Sequence, residues 1–114
     1  MIKKIYRLNE SSLKKVLKYK KPFFSYGFIA NVATNRLNYS RFWILLSTKN
    51  TKTSVNRNFF RRKFYDLVAD YIEKWSFDIV FVPKKWKTFD KRIEASIVEF
   101  EKDILFSLKK IFNS

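Results

Sequence analysis

Cysteine and histidine are both missing from this chain of 114 residues. Without cysteine there is no disulfide, no thiolate metal ligand and no sulfur nucleophile, and a reducing, cytoplasmic setting is expected. Without histidine there is no imidazole base, no histidine-based triad and no ordinary zinc site. One glycine and two prolines leave little material for flexible linkers, and no internal repeat or low-complexity tract breaks the sequence. A single domain over residues 1–114 is expected. No apolar run approaches the roughly eighteen residues that a membrane span needs. The opening "MIKKIYRLNESSLKK" lacks the continuous apolar stretch of a secretory signal, so a soluble chain is expected.

Acids are scarce where bases are not. Residues 1–65 carry sixteen Lys/Arg against a single acid, Glu10, while residues 66–114 carry nine of each. The whole net charge of +15 therefore belongs to the first part of the chain. A field concentrated in this way attracts polyanions, nucleic acid foremost and an anionic membrane surface second. Disorder is excluded by a hydrophobic content of 46%. Aromatics reach 19%, more rings than so small a core needs, which predicts that some lie on the surface.

The order of elements reads α-β-β-α-β-α, an α+β sandwich in which helices cover a small sheet. "SSLKKVLKY" (11–19) is a short helix capped by Ser11 or Ser12, with Leu13, Val16 and Leu17 as its apolar stripe and Pro22 as its stop. "FFSYGFIANVA" (23–33) and "SRFWILLST" (40–48) read as strands, the second buried on both faces. Gly27 marks a bulge or a close backbone approach within the first. A further short strand is allowed in residues 34–40. A helix capped by Thr53 or Ser54 runs to about Trp75, with Phe60, Phe64, Leu67, Val68, Tyr71 and Trp75 as its core stripe. "FDIVFVP" (77–83) is a buried strand, and a last helix steps from Phe89 to Phe112.

Chemistry is restricted to carboxylates. Asp66, Asp70 and Glu73 share one helix face and would suit either Mg²⁺ in a nuclease or, more simply, the solvated back of the helix. The basic flank is different. Arg57, Asn58, Arg61, Arg62 and Tyr65 fall together beside the core stripe, and guanidinium forks match phosphate oxygens. The helix start adds its positive end, and Lys49, Lys52 and Arg41 lie nearby in sequence. Lys3, Lys4, Lys84, Lys85 and Lys87 read as an ordinary solvated face. Phe24, Tyr26 and Phe28 alternate onto one strand face, either to stack on unpaired bases or to pack in the core.

"SVNRNFFRRKFYDL" resembles the signature of the protein subunit of bacterial ribonuclease P, roughly A-V-x-R-N-x-x-K-R-x-x-R-E. Val55, Arg57, Asn58, Arg61 and Arg62 occupy its V, R, N, K and R places, and Asp66 replaces the glutamate. "RLNESSLKKVL", "SRFWILLSTK" and "FDIVFVPKK" are similar to further family segments in the same order. The departures are Phe59 and Tyr65 in place of two arginines, Trp43 for a strand glycine, and Thr48 with Lys49 for paired lysines.

The resemblance implies the fold of the second domain of ribosomal protein S5, order α-β-β-(β)-α-β-α, with a left-handed βαβ crossover. It also implies a division of labour. A catalytic RNA holds the Mg²⁺ ions and cleaves precursor tRNA at the 5′ end; the protein has no catalytic residue and no cofactor of its own. Arg41, Lys49, Lys52, Arg57, Asn58, Arg61 and Arg62 are expected to contact the catalytic RNA. Leu13, Leu17, Tyr26, Phe28, Arg61 and Tyr65 are expected along the single-stranded leader. The implied partners are the two RNAs, with no membrane and no small-molecule substrate. A non-enzymatic RNA-binding or ribosome-associated module using the same basic helix is the runner-up, and a metal-dependent nuclease the third reading.

Overall fold

The computed structural model describes residues 4–18 and 21–113. Lys3 and the expected helix end at Tyr19 lie outside these residues. A mixed sheet of four strands runs β1 (Lys21–Phe24), β2 (Phe28–Thr34), β4 (Phe77–Pro83), β3 (Arg41–Ile44) in spatial order. β1 and β2 form an antiparallel hairpin, β2 pairs antiparallel with β4, and β3 lies parallel to β4. Parallel neighbours need a crossover, and α2 (Ser54–Val68) supplies it. With α1 (Glu10–Lys18) and α3 (Glu94–Phe112), the architecture is the α+β sandwich expected.

Period-two alternation divides the sheet into two faces. Phe28, Ala30, Val32, Phe42, Ile44, Ile79 and Phe81 pack with α2 and α3 in the main core. On the other face Val80 packs with Val16 of α1 and with Leu8. The main core centres on five rings, Phe28, Phe60, Phe81, Phe89 and Phe100, whose contacting pairs have centroids 5.0–6.1 Å apart. These are the offset and edge-on separations that aromatic quadrupoles favour.

Long-range contacts revise several expectations. The stretch 23–33 is two strands, folded back at Ser25–Gly27. The extra strand arises here, whereas Thr34 ends β2 and residues 35–40 form an irregular bend in which Asn35 donates to Tyr39 and Asp78. Pro22 sits within β1, an edge strand whose outer N–H is not needed by the ladder. At the hairpin, the Gly27 N–H donates to the Asp103 carboxylate of α3 at 2.8 Å. A Cβ on Gly27 would lie 2.8 Å from that same oxygen and 3.1 Å from Lys87, so glycine serves a close approach. Gly27→Ala is expected to cost roughly 1–3 kcal/mol by breaking that buried hydrogen bond, seen as a lower denaturant midpoint.

Helix ends also shift. Asn9, rather than Ser11 or Ser12, caps α1 by accepting from the Ser12 N–H at 2.8 Å. Thr53 caps α2 as expected, its hydroxyl accepting from the Asn56 N–H. α2 ends at Val68 and not near Trp75, passing through a 3₁₀ turn at Ala69–Tyr71. The Ser40 N–H and hydroxyl take the carbonyls of Ile72 and Trp75, which turns the chain toward β4 and leaves Trp75 exposed. α3 starts at Glu94; Phe89 precedes it in a loop and still reaches the core. β3 is buried on one face only, since Arg41 and Trp43 are half-exposed on the other.

Candidate nucleic-acid interface

The amphipathic pattern of α2 decides what its basic flank can do. Phe60, Phe64 and Val68 are buried, which anchors the helix on the sheet and fixes its rotation. Asn58 and Arg62 then face solvent, with Arg57 and Arg61 half-exposed beside them. Arg57 donates to the Thr51 carbonyl at 3.3 Å, and Arg61 reaches the Asn58 side-chain oxygen at 3.4 Å. Among the described residues, none of Arg57, Arg61 and Arg62 forms an ion pair with an acid. Three guanidinium groups are thus left for an external anion. Arg57 lies in the first turn of α2, where free backbone N–H groups add to the positive potential, and Arg61 and Arg62 lie about one turn further along.

The loop before α2 carries Lys49 and Lys52, both exposed. It is held from below by Asn50, which is buried. Its side-chain amide donates to the Lys87 carbonyl at 2.8 Å and its backbone carbonyl accepts from the Phe89 N–H at 2.7 Å. Asn56, also buried, accepts from the Lys91 N–H at 3.1 Å. Lys91 is thereby fixed beside Asn58 and Arg62 along one shallow cleft. Nothing in the local sequence marks Lys91, because its neighbourhood is made by a contact across 35 residues.

Three expected site residues are placed elsewhere. Phe28 is fully buried, stacked on Phe89 at 5.4 Å, because the hairpin turn puts it on the core face. Tyr65 is only 1% exposed, packed on Phe64 with the Arg7 guanidinium 6.0 Å from its ring centre. Burial pushes its phenol up to about 12, against the pull of Arg7 and Arg61. Neither ring has a face open to a base. Arg41 is half-exposed but committed to Asp78 through two bonds, Nε to Oδ1 at 2.9 Å and a terminal nitrogen to Oδ2 at 2.7 Å. Those hydrogen bonds push its guanidinium above the ordinary value while burial works against them. Its charge is answered within the fold.

Tyr26 stays exposed at the hairpin turn, and Leu17 and Leu13 remain exposed and half-exposed on α1. Phe59 packs edge-on against Phe60 at 5.2 Å, with the Lys63 ammonium 5.8 Å from its ring, while Lys63 pairs with Glu101. Lys87, expected on a solvated face, is buried and paired with Glu99 at 2.6 Å.

The α1 face of the sheet adds residues that periodicity did not single out. Asn31 and Trp43 lie on either side of Val80 in the strand register. The Asn31 Oδ1 and Trp43 Nε1 are buried with no hydrogen-bond partner among the described residues. The signal for Asn31 was an amide in the middle of the apolar strand "FIANVAT". The carboxylates Asp66, Asp70 and Glu73 do not converge. Among the described residues, no group of three or more metal-ligating side chains is close enough to hold an ion. No described helix is long and apolar enough to cross a membrane.

An α+β domain that lines one helix edge with unpaired guanidinium groups, beside a rigid loop of exposed lysines, is of the class that meets polyanions. A family profile described as Ribonuclease P matches residues 2–110, and the chain belongs to that family. The fold is that of the RNase P protein from Staphylococcus aureus, which is 16% identical with a TM-score of 0.76, the match covering 93% of this chain and 94% of that one. The RNase P protein from Thermotoga maritima is similar as well, 20% identical with a TM-score of 0.68 over 91% of this chain and 96% of that one. No match was found among curated proteins.

Proposed function

We propose that this chain binds the catalytic RNA of ribonuclease P and the 5′ leader of precursor tRNA, and so assists maturation of the tRNA 5′ end. Hydrolysis belongs to the RNA, which holds the Mg²⁺ ions; the protein contributes grip and position, in the cytoplasm, without a small-molecule substrate or a membrane. The observation that carries this reading is the flank of Arg57, Arg61 and Arg62, which forms no ion pair with an acid among the described residues and stands at positions matching the family signature. Asn58, Lys49 and Lys52 extend it. Phosphate contacts of this kind position a protein on RNA without reading sequence. The leader path is narrowed to Leu13, Leu17, Tyr26 and Arg61, since Phe28 and Tyr65 are enclosed.

Reconstitution with the catalytic RNA of the same organism tests the proposal. Precursor tRNA cleavage is expected at Mg²⁺ concentrations too low for the RNA alone, and none is expected from the protein alone. Cleavage by the pure protein that disappears in Asp70→Ala would install the nuclease reading instead. Tight RNA binding with no effect on cleavage would install the non-enzymatic one.

A further inference from the structure

We infer that Tyr26 and Trp86 form a stacking site for an unpaired RNA base, separate from the guanidinium flank of α2. This rests on the reading of the chain as an RNA partner and adds a second contact to it. The two rings meet edge-on, with centroids 5.1 Å apart and planes at 81°. They are 65% and 57% exposed, although both are large apolar groups that burial would favour. An edge-on pair leaves ring faces open to a third π-system.

The pair is built rather than incidental. Lys87 is buried, with its ammonium 5.0 Å from the Tyr26 ring centre and 5.7 Å from that of Trp86. Glu99 holds that ammonium at 2.6 Å, and Asp103 fixes the Gly27 backbone beside Tyr26 at 2.8 Å. The charge of Lys87 is consumed inside the fold, so its role is to position the rings. Lys84 and Lys85 directly precede Trp86, and neither forms an ion pair with an acid among the described residues. An aromatic platform beside unpaired cations is what single-stranded nucleic acid requires.

A physical track links this platform to α2. The Lys84 N–H donates to the Gly27 carbonyl, and the Asn50 amide donates to the Lys84 and Lys87 carbonyls. The hairpin turn, the loop after β4 and the lysine loop before α2 are therefore one connected surface. The unpaired base could come from the leader of a precursor or from a loop of the catalytic RNA, and the chemistry is shared.

The test uses an oligouridylate of about ten nucleotides, within the span of single-strand sites, together with the full chain labelled with 5-fluorotryptophan. The ¹⁹F resonance of Trp86, assigned by its disappearance in Trp86→Phe, is expected to shift on binding. Trp86→Ala should weaken binding about tenfold, as removal of one stacked base does, and Trp86→Phe should restore most of it. The salt slope should stay unchanged, because stacking releases no counterions. A shift with catalytic RNA alone assigns the base to that RNA; a shift only when precursor joins assigns it to the leader. Both support the site. If the resonance stays still with all three RNAs while the protein still promotes cleavage, the platform is overturned and the family reading stands. A shift with phosphatidylglycerol vesicles and none with RNA also overturns it.

Discussion

Changing Arg61 and Arg62 together to alanine is expected to weaken binding of the catalytic RNA about a hundredfold at moderate salt. Each removes one charge-assisted hydrogen bond, and at the lower end of their range of roughly 1.5–3 kcal/mol two of them give about two decades. The log–log salt dependence should flatten by about 0.7–0.9 for each phosphate that is no longer neutralised. Folding should be nearly untouched, since neither side chain forms an ion pair with an acid among the described residues and Arg62 faces solvent. Lys63→Ala on the same helix provides the contrast, because Lys63 is engaged with Glu101 at 2.7 Å. Its removal should leave the salt slope as it is. Filter binding across a salt series separates the cases, and a double variant with the wild-type slope would take α2 out of the RNA interface.

Phe28→Ala is expected to be the most damaging single substitution for stability. The ring is fully buried and touches Phe81, Phe89 and Phe100 with centroids between 5.4 and 6.1 Å away. Truncation removes the transfer free energy and opens a cavity that stiff aromatic neighbours cannot fill, about 3–5 kcal/mol in comparable cores. That is a large part of the roughly 5–15 kcal/mol that holds a domain together. The melting midpoint should fall by roughly 15 °C. Phe28→Leu should fold and bind RNA almost as the parent does. Calorimetry on both, with RNA affinity for the leucine form, distinguishes a core ring from a base-stacking ring. Weakened RNA affinity at unchanged stability would return Phe28 to the leader path.

These two expectations differ in how much of each is legible in the sequence. The arginine flank of α2 is legible because helical periodicity is local: Phe60, Phe64 and Val68 bury one stripe and thereby turn Asn58 and Arg62 outward. Phe28 is legible only as an aromatic on an alternating strand. Its side is decided where Ser25–Gly27 folds the strand back, under a hydrogen bond from Gly27 to Asp103 across 76 residues. Tyr65 is enclosed for a similar reason, since Arg7 pairs with the edge of β3 at Phe42 and lies over its ring. In the sequence Lys87 is one more lysine beside Lys84 and Lys85. Glu99 from α3 and the Tyr26 ring from the hairpin make it an interior group.

By itself the sequence determined the charge imbalance, the α+β class and the helix that carries the basic flank. Charge imbalance, the lack of cysteine and histidine, and residue spacing are properties of a linear string, and they survive whatever the chain does next. The tertiary structure decided which rings are open and which cations are already answered. Burial and ion pairing depend on residues dozens of positions apart, and only the folded sheet with its three helices brings them into contact.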